Sequence, residues 1–235
     1  MRAETIASLT TAAGTLVLAV ATFSATRSAN RASRIAERSL LASLRPVLVH
    51  AQFGDPRQKI GFADDHWVHV DGSSAAFEVT ETAIYLAFGL RNVGTGMAIL
   101  QSWYPFPERI LSGQMHQPVE EFRSQTRALY VPSGGLGFWQ GALREPTEQI
   151  FADFKAAAAA RQPVTIDLLY SDMNGGQRTV TRLAILPAPG GPSRPDDPSG
   201  PDDSDSTKPR WIASIGTHWL IDDHASHRFG PHNAS

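Results

Sequence analysis

Between Glu4 and Arg27 the chain runs for 22 residues without a charge, "TIASLTTAAGTLVLAVATFSAT". As an α-helix this run reaches about 33 Å at ~1.5 Å per residue, against a hydrocarbon core of ~30 Å. Its length fits a membrane span. Its composition fits less well, because six threonines, six alanines and two serines dilute the leucines and valines. A threonine hydroxyl bonds a carbonyl one turn back, which makes it tolerable in lipid. Ala7, Thr11, Thr15 and Ala19 recur at four-residue spacing and form a small-residue face. Through such a face a second copy can approach closely, so a homo-oligomer is one expectation.

A cleaved signal peptide is the rival reading, with Ala19-Val20-Ala21 as an A-x-A site. Two features oppose it. The n-region offers Arg2 offset by Glu4, and the strong positive charge follows the apolar run. That charge is "TRSANRASRIAER", Thr26 to Arg38. At 100° per residue, Arg27, Arg31, Arg34, Arg38 and Arg45 fall within about 40° of one line on a helix. Such a stripe can reach anionic headgroups, each residue contributing roughly 1 kcal/mol. The positive-inside bias puts this flank in the cytoplasm and the N-terminus outside. The expectation is a single-pass protein with span 1–26, basic juxtamembrane helix 27–44 and a cytoplasmic remainder. The helix should end near Leu44, because Pro46 disfavours helical geometry at Arg45.

Beyond Arg45 the periodicity changes from helical to alternating. "RPVLVHAQF" puts Val47, Val49, Ala51 and Phe53 on one face, with His50 and Gln52 on the other. "TAIYLAFGLRN" sends Ile84, Leu86, Phe88 and Leu90 one way, and Tyr85, Ala87, Gly89 and Arg91 the other. "GMAILQSWYPF" reads as a strand, and "RALYVPSGG" and "LGFWQGAL" as two more around Gly134-Gly135. The best-marked hairpin is "VTIDLLYSDMNGGQRTVTRLAIL": Val164, Ile166, Leu168 and Tyr170 alternate, and Asn174-Gly175 suits a tight turn. "RWIASIGTHWLI" adds a last strand. One helix interrupts, "TEQIFADFKAAAAAR", with Ile150, Phe154, Ala157 and Ala158 on one face and Phe151 beside them. Seven or so short strands with turns between them predict a mainly β fold, an antiparallel sandwich with one accessory helix, over 45–187 and 209–221. Residues 188–208, rich in Pro, Gly, Ser and Asp, bury too little apolar surface to order themselves. They read as a disordered acidic insertion, and 222–235 as a loose tail.

Several segments together carry a resemblance: the N-terminal span running into an arginine-alanine helix and "RPVLV", then "LRNVGTGMA", "YSDMNGGQRT" and a "W…HW" strand. In these the chain resembles a loosely defined group of uncharacterised bacterial membrane-anchored proteins with an immunoglobulin-like sandwich. The resemblance covers most of the chain. It implies an immunoglobulin-like β-sandwich behind a single transmembrane helix in the bacterial cell membrane, and it transfers no catalytic residue.

The 235 residues hold no cysteine, which excludes thiolate metal sites and cysteine nucleophiles. A net charge of −2 argues against a general nucleic-acid binder. Gly94-Thr95-Gly96 lacks the third glycine of a dinucleotide fingerprint, since position 99 is Ile, and reads as a turn that Asn92 helps to close. Asp222, Asp223, His224, His227 and His232 have metal-ligating side chains but no rigid element to hold them. His66 and His69 fall on opposite strand faces. Asp167 reads as solvent-facing, Asp172 as a turn residue, and Ser133 lacks the strand-turn-helix setting of a nucleophile elbow. Of Trp103, Tyr104, Trp139, Trp211 and Trp219, the pair Trp103-Tyr104 is the candidate partner surface and the rest read as core. The expectation is a non-enzymatic module with no cofactor and no metal, acting near the inner leaflet through an unidentified protein partner. The alternatives are an exported or envelope-facing binding domain on an uncleaved signal anchor, and a hydrolase without a recognisable motif.

Overall fold

The computed structural model describes residues 2–111, 113–188 and 210–221, with backbone alone for 2–15, 17, 38, 41 and 42. The acidic insertion and the tail with its aspartates and histidines lie outside the described residues. The chain divides into two units, Met1–Ser43 and Leu44 onward.

The first unit is one helix, α1 (Arg2–Ser43). Alanine and leucine favour it, and it stops where Pro46 forbids continuation. Arg45 therefore leaves the helical register: it lies beyond α1, half-buried, with its Nε donating to Gln177 Oε1 at 3.1 Å. The expected five-residue stripe loses its last member.

The second unit is mainly β. Its strands are β1 (Leu48–His50), β2 (Gln58–Gly61), β3 (Trp67–Val70), β4 (Ser74–Val79), β5 (Ile84–Asn92), β6 (Ala98–Phe106), β7 (Arg123–Val131), β8 (Leu136–Leu143), β9 (Val164–Ser171), β10 (Thr179–Pro187) and β11 (Trp211–Leu220). A helix, α2 (Gln149–Ala159), separates β8 from β9. All pairings are antiparallel, in the order β1-β5-β4-β11-β10-β9-β6-β7, with β8 on the other edge of β5 and β2-β3 as a separate hairpin. β4 pairs with the first half of β5, and β1 with its end, Leu48↔Asn92 to His50↔Leu90.

This sheet curls so that distant strands share one core. Trp139 of β8 packs its ring 5.2 Å from Trp103 of β6 and 4.9 Å from Phe88 of β5. Phe77 meets Trp211 at 4.9 Å and Phe154 of α2 at 6.0 Å. Phe151, Phe154 and Ala157 are the face that α2 buries, as its 3–4 spacing predicts. Each buried aromatic contributes roughly 1.5–3 kcal/mol of transfer free energy.

Three readings of the strands change. Among the described residues the unit has eleven strands where about seven were expected, because β2 and β3 are only four residues long and β4 opens on small residues. Leu48, not Val47 and Val49, is the fully buried residue of β1. Register decides this, since Leu48 opposes Asn92 and must share its inward face. Third, β9 is buried at all eight positions, so its alternation does not mark an outer, solvated face. Segment 107–122 covers that side, with Phe122, Leu169 and Val180 forming a second small core. The β2-β3 hairpin likewise covers Ala76, Tyr85 and Ala87.

Candidate functional site

On α1 every described side chain is exposed, including Leu16, Leu18, Val20 and Phe23 at 62–70%. Arg27, Arg31 and Arg34 follow, and with Phe23, Thr26 and Asn30 they line a shallow hollow on one side of the helix. Nothing is described for the side chain of Arg38. The hydroxyls of Thr22, Ser24 and Thr26 donate to the carbonyls of Leu18, Ala21 and Thr22 at 2.8–2.9 Å. Each polar group of this stretch is thereby satisfied within the helix. Among the described residues no helix is long and apolar enough to cross a membrane. The side chains of Thr5–Thr15 and Val17, half of the expected span, lie outside them.

Trp103 and Tyr104 are neighbours on β6 and face opposite ways. Trp103 is 4% exposed, packed against Trp139, and forms no partner surface. Tyr104 is partly exposed and rests on Phe106 and Phe122 at 4.8 and 5.8 Å. Strand alternation forces this separation.

Under segment 107–122 lies Asp167, which the sequence reading placed in solvent, paired with Arg182. Asp167 is fully buried and takes both ends of the Arg182 guanidinium fork, Nε to Oδ1 and Nη2 to Oδ2, each at 2.7 Å. Arg182 Nη1 also donates to the carbonyl of Gln114 at 2.7 Å and more weakly to that of Leu111. Nη2 reaches the carbonyl of Met115 at 3.4 Å. Trp219 and Phe106 lie over the guanidinium at 4.8 and 5.4 Å. Thr165 adds a second tie, accepting from Ile110 N and donating to Glu108 O. One signal could have found the pair. A hairpin centred on Asn174-Gly175 places residues whose numbers sum to 349 opposite each other, and 167 plus 182 is 349; the observed register is Arg182↔Asp167.

The hairpin turn is closed as expected by Asp172, whose Oδ1 accepts from Asn174 N and Gly176 N at 2.9 Å. Gly175 carries a φ of +77°. Gly94 and Gly96 also belong to a turn, but neither has a positive φ. They are needed for space: a Cβ at either position would overlap the carbonyl oxygens of Arg45 and Leu44. Ser133 donates to Gly94 O at 2.9 Å.

Where β4 gives way to β1, a row of polar groups enters the core. Tyr170 OH accepts from Leu48 N at 3.2 Å and from Thr181 Oγ1 at 3.1 Å, and Thr181 Oγ1 lies 2.7 Å from His218 Nδ1. Burial pushes the Tyr170 phenol up and holds both His218 and His50 below the ordinary histidine value. His50 Nδ1 is buried with no hydrogen-bond partner. A further cluster forms on the outer face of β5: Tyr85 donates to Asp64 at 2.6 Å, His66 stacks on Tyr85 at 3.9 Å, and His66 Nε2 meets Glu78 at 3.0 Å. His69 lies opposite Lys59 on the β2-β3 hairpin. Among the described residues no three His, Asp or Glu side chains come together as metal ligands.

Comparisons with protein-family models, curated proteins and solved structures find no match to this chain.

Proposed function

We propose that this protein is a single-pass, membrane-anchored and non-enzymatic interaction module. In this reading Thr5–Thr26 crosses the bacterial cell membrane, the N-terminus lies outside, and the β unit is an immunoglobulin-like sandwich in the cytoplasm that meets a protein partner. One observation carries it. An exposed set of large apolar side chains, Leu16, Leu18, Val20 and Phe23, is followed by the exposed Arg27, Arg31 and Arg34. Water is a poor solvent for such a helix standing alone, whereas lipid followed by phosphate suits both halves. The back-bonded hydroxyls of Thr22, Ser24 and Thr26 support the same reading, because lipid offers them no other partner. The sandwich is supported by Trp103, Trp139 and Phe88, which join opposed parts of the curled sheet through one core. The cytoplasmic side follows from the positive-inside bias.

Two measurements test this. The full-length chain should co-sediment with vesicles holding a third anionic lipid and should leave them only in detergent; a chain that remains in the aqueous phase overturns the anchor. A reporter pair fused after Ser235 should be active only in its cytoplasmic form; activity only of the exported form reverses the orientation.

A further inference from the structure

We propose that the outer face of the β2-β3 hairpin is a binding site for a nucleoside phosphate, with the base stacked on Trp67 and the phosphate held by Lys59 and Arg127. The site lies wholly within the β unit and does not depend on the anchor. The hairpin pairs Lys59↔His69, Ile60↔Val68 and Gly61↔Trp67. Ile60, Val68 and Val70 are buried in the small core they share with Ala76, Tyr85 and Ala87. Strand alternation then sends Lys59, Gly61, Trp67 and His69 to the outer face. Trp67 is 53% exposed, whereas Trp103, Trp139 and Trp211 are buried.

Glycine gives the indole its seat. A Cβ at Gly61 would come within 2.6–2.9 Å of three carbons of the six-membered ring of Trp67, so no other residue lets the ring rest there. Arg127 Nη1 donates to the carbonyl of Gly61 at 3.0 Å, which fixes a guanidinium beside the seat. That bond uses one of the five N–H donors of the group. Lys59 Nζ lies 4.7 Å from the centre of the Trp67 ring. Among the described residues Lys59 has no carboxylate partner. The carboxylates of the hairpin are otherwise engaged: Asp71 meets Arg57 Nε at 3.3 Å, and Asp64 accepts from Tyr85 and faces Arg144. Asp65 sits in the turn, with a φ of +57°.

The chemistry of the face selects the ligand. An exposed indole offers a π-face, and a second flat ring covers it best. The charge around it is positive, so that ring must carry an anion; a cationic ligand would meet Lys59 and Arg127 as like charges. Both groups donate and neither accepts, which matches phosphate, whose ionised oxygens only accept. A saccharide would also need acceptors for its hydroxyl protons, and Asp64 and Asp71 are already taken. One platform receives one base, whereas a nucleic-acid strand stacks on a row of aromatic side chains. On binding, the Lys59 ammonium leaves the indole for phosphate, and the base takes its place on the ring.

The full-length chain in detergent would be titrated with adenosine diphosphate, adenosine, ribose phosphate and glucuronate, with binding read by calorimetry and by indole fluorescence. Adenosine diphosphate should bind with saturable quenching of tryptophan emission. Adenosine and ribose phosphate should each bind at least about tenfold more weakly, since each lacks one half of what the face recognises. Trp67→Leu, at an exposed position, should keep the fold by circular dichroism and weaken adenosine diphosphate about tenfold. Gly61→Ala should weaken it as well, by tilting a ring that is still present. Lys59→Gln should weaken it and flatten its dependence on salt. Ribose phosphate binding as tightly as adenosine diphosphate would leave a phosphate contact without a stack and overturn the proposal. Glucuronate binding more tightly than adenosine diphosphate would make the face a saccharide site and overturn it too. So would the absence of saturable binding at millimolar adenosine diphosphate, or wild-type affinity in Trp67→Leu.

Discussion

Asn92 Oδ1 accepts the backbone N–H of Val47 at 3.1 Å, joining residues 45 positions apart in sequence. Asn92 is fully buried, and the contact pins the segment leaving α1 to the end of β5. Asn92→Ala would leave two N–H groups and two carbonyls to find new partners, each costing about 1–3 kcal/mol where water cannot reach. The expected net loss is about 3 kcal/mol, or roughly 6–12 °C in Tm at 2–4 °C per kcal/mol. Thermal unfolding followed by circular dichroism reads it; a shift under 2 °C would show that the knot is not needed for stability.

The bidentate Asp167–Arg182 pair makes a second prediction. Asp167→Ala strands a buried guanidinium and should cost about 3–5 kcal/mol. Replacing both, as Asp167→Leu with Arg182→Met, removes the charge problem and should recover much of that loss in global stability. The covering segment should not recover. Three of its carbonyls, from Leu111, Gln114 and Met115, lose their common donor, Arg182, in the double variant. Hydrogen exchange across 107–118 should therefore quicken in the double variant while the β9-β10 hairpin stays protected. Equal protection of 107–118 in wild type and double variant counts against Arg182 as its fastener.

How far the sequence could be read depends on which faces are covered. The helix stop before Pro46, the Asn174-Gly175 hairpin and the apolar stripe of α2 were legible, because each depends on neighbours within a turn or a strand. The burial of Asp167 was not. Alternation assumes one wet face, and here segment 107–122 and the β2-β3 hairpin cover outer faces that periodicity treats as solvent. The inward turn of Leu48 was equally hidden, because cross-strand register against Asn92 sets it. Of the candidate site, the shared side of Arg27, Arg31 and Arg34 on α1 was legible by spacing alone, whereas the pole where Asn92 gathers Val47, Gly94, Gly96 and Val131 draws on three separate stretches that only the fold assembles.

Gly96 gives a sharper test of that assembled pole. A Cβ there would overlap the Leu44 carbonyl oxygen, a backbone atom that cannot swing aside. Gly96→Ala should force residues 44–47 away from β5 and cost about 1–3 kcal/mol through strain. Gly134→Ala is the contrast, since its φ of +66° carries strain with nothing within 4 Å of the new methyl. That variant should lose only about 1 kcal/mol, the left-handed penalty itself. Denaturant midpoints that rank the two variants the other way would show that close approach is not what position 96 demands.

Stability should fall between pH 7.5 and 5.5 because of His50 and His218. Burial holds both below the ordinary value of 6.5 in the folded state, so each is neutral there. The unfolded chain takes up a proton at each near pH 6.5, and unfolding then gains protons. The contribution is therefore complete above about pH 6.5 and declines as pH falls through that value towards the depressed folded values. Asp55 and Asp64 do not confuse this window: hydrogen bonds from Arg91 to Asp55 and from Tyr85 to Asp64 hold both below the usual aspartate value when folded, so their contributions fade only at more acid pH. Nor is the Tyr170 phenol involved, since burial raises it further above 10.0. Charging His50 also puts a proton on both ring nitrogens, and the buried Nδ1 has no hydrogen-bond partner to receive it. Urea midpoints at the two pH values should differ in the wild type, and the difference should shrink when His50→Gln and His218→Gln are combined. An unchanged pH dependence in the double variant would assign the slope to other groups.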